Sequence, residues 1–162
     1  MFLRVLLVNA AVVTVFTHGI AWADPKPRGA KAADPNRVVE LYRGKTQIWK
    51  VCGGGLYYGT DGQASAWCRK HKHIVALGTW RVDRNARVCR EITWHWPEGE
   101  SIRSKSDGVV CIEHVVAPDG SIWRSWPDES EWWSMSGDRG LLKGDRFKAQ
   151  KKRRARKMGL KL

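Results

Sequence analysis

The sequence lacks the local motifs that identify common families of enzymes and nucleotide-binding proteins. It has no G-x-S-x-G nucleophile elbow and no H-E-x-x-H zinc motif. The triplet Gly53-Gly54-Gly55 lacks the Lys and the following helix that a phosphate-binding loop needs. We therefore predict no catalytic residue and no cofactor, and we favour a non-enzymatic function over an enzymatic one.

The sequence also lacks an uninterrupted apolar run of about 20 residues, which a membrane-spanning helix requires. The run from Val5 to Ala21 is apolar but contains polar residues such as Asn9. Arg4 precedes it, and an A-x-A sequence ends at Ala23. This pattern predicts a signal peptide over residues 1–23, cut after Ala23, rather than a membrane anchor. The mature protein is then periplasmic or secreted.

No C-x2-C pair is present, so the four cysteines do not have the spacing of a zinc site. Two disulfides are the default in the oxidising compartment that export implies. A hairpin centred near residue 100 sets Cys89 opposite Cys111. The remaining cysteines, Cys52 and Cys68, can meet if the three neighbouring glycines bend or bulge the strand. We predict the pairs Cys52–Cys68 and Cys89–Cys111.

The mature sequence divides into three parts. Residues 24–33 contain two prolines and a glycine and are predicted to form a linker. Asp34-Pro35 is typical of a helix N-terminus, and the short helix that it starts should end at Gly44. Residues 34–146 are predicted to form a single β-rich domain, and residues 147–162 a basic tail.

Alternating apolar residues and regularly spaced turns predict an antiparallel meander in this domain. The predicted strands are Thr46–Val51, Leu56–Thr60, Gln63–Cys68, Ile74–Val82, Arg87–Trp96, Gly108–Val116, Ser121–Trp126 and Glu131–Met135. Such a long meander has to protect its edges. The expected fold is mainly β, with one N-terminal helix and an up-and-down sheet that curls into a half-open or closed small barrel of lipocalin-like shape.

The net charge of +13 is unevenly distributed along the chain. Residues 138–162 contain 11 basic and 2 acidic residues, whereas residues 24–137 have a net charge of only +3. A run of like charges repels itself, so we predict that the tail is mobile until it meets an anionic surface. The residues assigned to this contact are Lys151, Lys152, Arg153, Arg154, Arg156 and Lys157.

Export decides which polyanions such a tail can meet. The expected partners are an anionic membrane or a lipopolysaccharide surface, and nucleic acid is not expected outside the cytoplasm. A solvated tail that only aids solubility is the alternative.

Ten tryptophans are present, nine of them after the predicted cleavage site. Most should pack in the core, but Trp132 and Trp133 are adjacent and cannot both face inward on a strand. Exposed indoles stack on sugar rings or apolar ligands. The candidate ligand-binding residues are Trp94, Trp96, Trp123, Trp132 and Trp133.

Two further groups of polar residues have both a functional and an ordinary interpretation. His71 and His73 could share one strand face and hold a metal, but the basic residues between and before them repel a cation, so no metal site is predicted. Glu91 and Glu113 could form the carboxylate pair of a glycosidase. The hairpin register places Arg87 opposite Glu113, and an ordinary ion pair is the favoured interpretation.

Several short motifs occur in a characteristic order. They are Tyr42-Arg43-Gly44-Lys45-Thr46, Gly55-Leu56-Tyr57-Tyr58, Gly78-Thr79-Trp80, Cys111-Ile112-Glu113-His114, Asp119-Gly120-Ser121-Ile122-Trp123 and Glu131-Trp132-Trp133. Over about Val38 to Phe147 the chain resembles an exported proteobacterial family of uncharacterised small β domains, the domain of unknown function 995 family. The resemblance implies a Gram-negative, periplasmic or secreted setting and carries no catalytic residues. The basic tail departs from the family pattern.

Taken together, the sequence predicts a periplasmic or secreted β domain that binds an envelope ligand, a glycan or a lipid, through a Trp-rich surface. The first alternative is an envelope glycan or lipid hydrolase or transferase. The second is a structural cell-envelope interaction protein.

Overall fold

A computed structural model describes residues 24–125, 131–136 and 140–162 of the chain. The predicted signal peptide therefore lies outside the described residues. The elements in chain order are β1 (Lys31–Ala32), α1 (Pro35–Tyr42), β2 (Lys45–Trp49), β3 (Gly54–Tyr58), β4 (Gln63–Trp67), β5 (Val75–Val82), β6 (Val88–Glu98), β7 (Ser101–Ile112), β8 (His114–Val116), β9 (Ile122–Ser125), β10 (Trp132–Ser134), β11 (Leu141–Lys143) and α2 (Lys148–Lys157).

Helix α1 forms where the sequence predicts it. The Asp34 carboxylate accepts a hydrogen bond from the Asn36 amide at 2.9 Å, and Pro35 occupies the first turn, where its missing N–H costs nothing. Gly44 ends the helix with a φ of 69°, a conformation that glycine adopts without strain. Val38 and Tyr42 are buried and hold the helix against the core.

Seven antiparallel strands form the larger sheet, in the order β11-β2-β3-β4-β5-β6-β7. The predicted meander is confirmed from β2 to β7. Cys89 lies opposite Cys111 in the β6–β7 ladder, and these two residues form one disulfide. Cys52 and Cys68 form the other, with a Cα–Cα distance of 5.5 Å. Both predicted pairs are thus present.

The strand predicted over Gly108–Val116 is divided in the structure. Ser101–Ile112 belongs to the larger sheet, and after Glu113 the chain crosses into a second, four-stranded sheet in the order β1-β8-β9-β10. The predicted pair between Arg87 and Glu113 is therefore wrong. Arg87 contacts Asp83 at 2.7 Å, and Glu113 contacts Lys26 at 2.8 Å.

The larger sheet is strongly curved. Trp49 on β2 and Trp94 on β6 are separated by four strand spacings, about 19 Å in a flat sheet, yet their ring centroids are 6.3 Å apart. Glycines permit this bend: a Cβ on Gly54 would collide with the backbone of Trp67, and one on Gly78 with the backbone of Glu91. The predicted fold is a half-open or closed barrel. Within the described ranges neither sheet closes on itself, so the closed form is not found and the barrel shape is not confirmed.

A buried polar contact joins the helix to the smaller sheet. The Tyr42 hydroxyl lies 2.9 Å from His114 Nε2, and His114 Nδ1 lies 3.1 Å from the Ile112 carbonyl. A carbonyl only accepts, so Nδ1 carries the proton and Nε2 accepts from Tyr42. His114 is fully buried, and Tyr58 packs edge-on against Tyr42 at 4.9 Å.

The C-terminal segment differs from its prediction as a mobile tail. Residues Lys148–Lys157 form helix α2, which contacts β4 and β5 and buries Lys151 and Ala155. The ring of Phe147, just before the helix, lies 5.6 Å from the ring of Trp67. Across the described ranges, neither helix is long and apolar enough to cross a membrane.

Candidate functional site

An open cleft with a volume of about 570 Å³ lies at one end of the curved sheet. Three indoles line it: Trp49 at the end of β2, and Trp94 and Trp96 on β6. The other lining residues come from the loops after β2 and β4 and from β7, namely Cys52, Cys68, His71, His73, Ile74 and Lys105. We call this feature the Trp cleft.

Strand register places Trp49 and Trp94 beside small residues. Residues directly opposite each other in a ladder point to the same face of the sheet. Trp49 is opposite Gly54, and Trp94 is opposite Ala76, so small residues next to the indoles leave the space that the rings occupy. The ring planes of Trp49 and Trp94 are inclined at 39°.

A polar contact fixes the orientation of one indole. Trp94 Nε1 donates to Asp107 Oδ2 at 2.9 Å, and the same carboxylate oxygen lies 3.6 Å from Arg90 Nη1. The indole N–H is therefore satisfied within the protein, and its apolar ring surface remains as the part that can contact a ligand. All three cleft indoles are half-buried.

The loop over residues 69–74 is an ordered part of the cleft. Backbone bonds tie it to the Cys52–Cys68 disulfide: Lys70 N donates to Cys52 O, and His71 N donates to Cys68 O, both at 3.2 Å. The indole of Trp67 donates to Lys72 O at 3.3 Å. Disulfide and hydrogen bonds together hold this loop against the sheet.

The five tryptophans predicted to bind a ligand do not form one surface. Trp94 and Trp96 line the cleft, whereas Trp123, Trp132 and Trp133 belong to the smaller sheet. Trp132 is 3% exposed and lies under the ammonium of Lys26 at 4.8 Å, so it has a structural contact. Trp133 is 36% exposed on the opposite strand face.

Among the three cleft indoles, Trp49 is the one that the sequence did not reveal. It lies 45 residues before Trp94 in the chain and reaches it only because the sheet is curved. A pattern of alternating residues shows which residues share a face of one strand, but it carries no information about curvature. Gly54 lies directly opposite Trp49 in the β2–β3 ladder, and a glycine at such a position indicates that the residue opposite has room for a large side chain.

The prediction that Lys151 contacts an anionic surface is wrong, because the structure buries this residue. Its side chain is 1% exposed, and its ammonium contacts Asp145 Oδ1 at 2.8 Å and Ser65 Oγ at 2.6 Å. Burial lowers the pKa of the Lys151 ammonium below its ordinary value, and the neighbouring Asp145 carboxylate partly opposes that shift. This lysine attaches α2 to the sheet.

The remaining cations of the predicted set stay on α2. Lys152, Arg153, Arg156 and Lys157 are exposed, and Arg154 is half-buried. At 100° per residue the four exposed side chains fall within about 140° of one helix face. We call these four residues the α2 basic face.

The structure does not bring together the glycosidase carboxylate pair or the metal ligands that the sequence analysis considered. Glu91 lies opposite Val109, and Val109 is four residues before Glu113 along the chain. At the rise per residue of a β-strand, the backbones of Glu91 and Glu113 are therefore about 14 Å apart. Glycosidase carboxylates lie roughly 5–9.5 Å apart. Among the described residues, no group of three or more His, Cys, Asp or Glu side chains could hold a metal ion.

Comparison with known proteins identifies a family to which the chain is similar. The model of a family described as "Protein of unknown function (DUF995)" matches residues 5–155. No curated protein and no solved structure matches the chain.

Proposed function

The chain belongs to the DUF995 family of proteins of unknown function, and from its structure we propose that it is an extracytoplasmic binding domain that takes a glycan into the Trp cleft. The observation that carries this proposal is the meeting of three half-buried indoles around one open cavity. Indoles used only for packing are covered by other side chains. Here their ring surfaces border a space within the 300–1,000 Å³ range usual for ligand sites.

The chemistry of the cleft suits sugar rings. An indole presents a flat apolar surface, which packs against the C–H face of a pyranose ring while the sugar hydroxyls stay in water. The cleft is open, so a chain of sugars can pass through it. A lipid acyl chain is the second ligand class with this chemistry, and an envelope lipid remains the alternative ligand.

The cysteines support an extracytoplasmic location. Two disulfides fit an oxidising extracytoplasmic environment. We propose the periplasm or the extracellular space, reached with the signal peptide predicted over residues 1–23. The envelope then supplies the glycans that the domain could meet.

Tryptophan fluorescence tests the proposal directly. Titration with a series of soluble oligosaccharides, including the hexamer of N-acetylglucosamine and acidic hexamers, should give a saturable change in emission for at least one of them. The Trp96→Ala variant should bind that sugar at least about tenfold more weakly, because it loses one stacking surface.

The matched control is Trp133→Ala, which removes an exposed indole from the smaller sheet and should leave the affinity unchanged. Equal losses in the two variants would contradict the assignment of the cleft. A saturable emission change with micelles of lysophosphatidylcholine, which carries no net charge for the basic residues to attract, would assign the cleft to lipid instead if no sugar gives a response and Trp96→Ala weakens the binding.

The α2 basic face supports a second function, attachment to an anionic surface. Four exposed cations on one face of a docked helix present a preformed positive patch to phospholipid or lipopolysaccharide phosphates. Each cation near an anionic membrane contributes about 1 kcal/mol, so the four together give reversible binding. The ligand cleft and the attachment surface are built from different elements.

Vesicle sedimentation checks this attachment. The wild-type protein should sediment with phosphatidylglycerol vesicles at low salt and be released at about 500 mM salt, where charges are screened within about 4 Å. Replacing the four α2 basic-face residues by alanine should abolish sedimentation. Replacing Arg37, Arg43, Arg81 and Arg84, four exposed cations elsewhere, changes the net charge equally and should preserve it. Equal effects of the two quadruple variants would indicate attraction by net charge alone.

A further inference from the structure

The Trp cleft has a strongly basic border. Residues 69–73 read Arg-Lys-His-Lys-His, and all five are exposed. His71 and His73 line the cleft, with Arg69, Lys70 and Lys72 before and between them. Lys105 lines the cleft from β7, directly opposite Trp94. None of the described residues that line the cleft is acidic.

These cations are not engaged in ion pairs in the part of the chain that the structure describes: neither Lys105 nor any of the three cations of the loop forms a salt bridge there. Elsewhere on the surface, Arg87 and Arg103 each have a carboxylate within 2.7 Å. Like charges held close together repel each other, and an anion placed among them relieves that repulsion.

The loop cannot move its charges apart freely, because both of its ends are attached. The Cys52–Cys68 disulfide fixes its start, and the bond from Ile74 N to His71 O, 2.9 Å, closes its end. The backbone that carries these charges is therefore held at the border of the cleft in advance of binding. Such preorganisation favours an anionic group at a defined place next to the stacked ring.

We propose that the ligand of the Trp cleft is an anionic glycan, whose sugar ring packs on the indoles while its carboxylate, phosphate or sulfate group contacts the loop over residues 69–73 and Lys105. The proposal rests on the proposed function, since it specifies the ligand class of the same cleft. Single-stranded nucleic acid also combines rings with phosphates. The disulfides favour the glycan, because they indicate an extracytoplasmic compartment.

The test compares a charged hexasaccharide with its neutral form. Fluorescence titrations use hexagalacturonate and its neutral methyl ester, which share one sugar backbone, and a heparin-derived hexasaccharide, which carries sulfates in addition to carboxylates. At least one anionic hexamer should bind about tenfold or more tightly than the neutral ester, and this preference should disappear at about 500 mM salt.

Two triple variants locate the effect. Replacing Arg69, Lys70 and Lys72 by glutamine should remove the preference for the anionic hexamer while leaving the affinity for the neutral ester unchanged. The same replacement at Arg37, Arg81 and Arg84, which are exposed away from the cleft, should leave the preference intact.

Each result has a distinct meaning. Equal binding of the charged hexamers and the neutral ester would overturn the anionic assignment and leave glycan binding standing. The absence of binding by every sugar would overturn the proposed function, and this inference with it. Tighter binding of an oligothymidylate of equal charge than of any hexamer would replace the glycan by nucleic acid.

Discussion

Replacing Lys151 by alanine is expected to lower the free energy of unfolding by about 3 kcal/mol, because removal of one partner from a buried ion pair leaves the other charge unpaired in the protein. Lys151 is 1% exposed and contacts Asp145 at 2.8 Å and Ser65 at 2.6 Å. Its loss would leave the Asp145 carboxylate and the Ser65 hydroxyl without their partner. Urea denaturation measures the change.

Helix α2 should respond more than the rest of the molecule. Lys152 and Arg156 are four residues apart, as are Arg153 and Lys157, and like-charge pairs at this spacing destabilise an isolated helix. The helix therefore depends on its docking contacts. In Lys151→Ala, the amides of residues 148–157 should exchange with deuterium faster than in the wild type, by a larger factor than the amides of β3 to β6.

Lys152→Ala is the matched control, because it removes the same side chain from the next, exposed position and should change stability by less than about 0.5 kcal/mol. The double variant Lys151→Met, Asp145→Leu should recover part of the loss, since neither charge is left unpaired. Equal stabilities of the two single alanine variants would show that the ion pair does not hold the helix.

Helix α2 shows which features of the fold could not be predicted from the sequence. Its like charges repel each other and so indicate a solvated segment. The local sequence shows these charges but not the distant residues that the segment contacts in the fold. The ordering contact joins Lys151 to Ser65, 86 residues earlier. By contrast, helix α1 was predicted correctly because Asp34 and Pro35 act on amides within their own first turn.

The sheets show the same division between local and distant information. The β6–β7 hairpin and its disulfide follow from a turn and from alternation on both sides of it. The first half of β7, over residues 101–106, is a mostly polar run that carries no strand signal of its own and is ordered by pairing with Thr93 to Glu98. Strands β1 and β11 contain two and three residues, and only their distant partners define them.

The second large effect is expected on acidification, through His114. Burial is the main reason that the pKa of this imidazole falls from 6.5 to about 4, and the positive charge of Arg124 also lowers it. The unfolded chain keeps the ordinary value. Between these two pKa values the unfolded state binds more protons than the folded state, so stability must decrease as the pH falls through this range.

The size of the effect follows from the difference in pKa. Two to three pKa units correspond to about 3 kcal/mol, which is present above pH 6.5 and lost by about pH 4. The structural cause is specific: Nδ1 donates to the Ile112 carbonyl, so the added proton goes to Nε2, the atom that accepts from Tyr42. Protonation removes the acceptor that joins α1 to the smaller sheet.

Urea denaturation at a series of pH values, on the wild type and on His114→Gln, separates this histidine from the other titrating groups. The glutamine side chain keeps a donor and an acceptor but does not titrate in this range. The variant should therefore lack the loss of about 3 kcal/mol between pH 6.5 and pH 4, even if it is less stable at neutral pH. His73→Gln, at an exposed position, should retain the wild-type pH dependence. An identical pH dependence in His114→Gln and the wild type would mean that other groups cause the acid destabilisation.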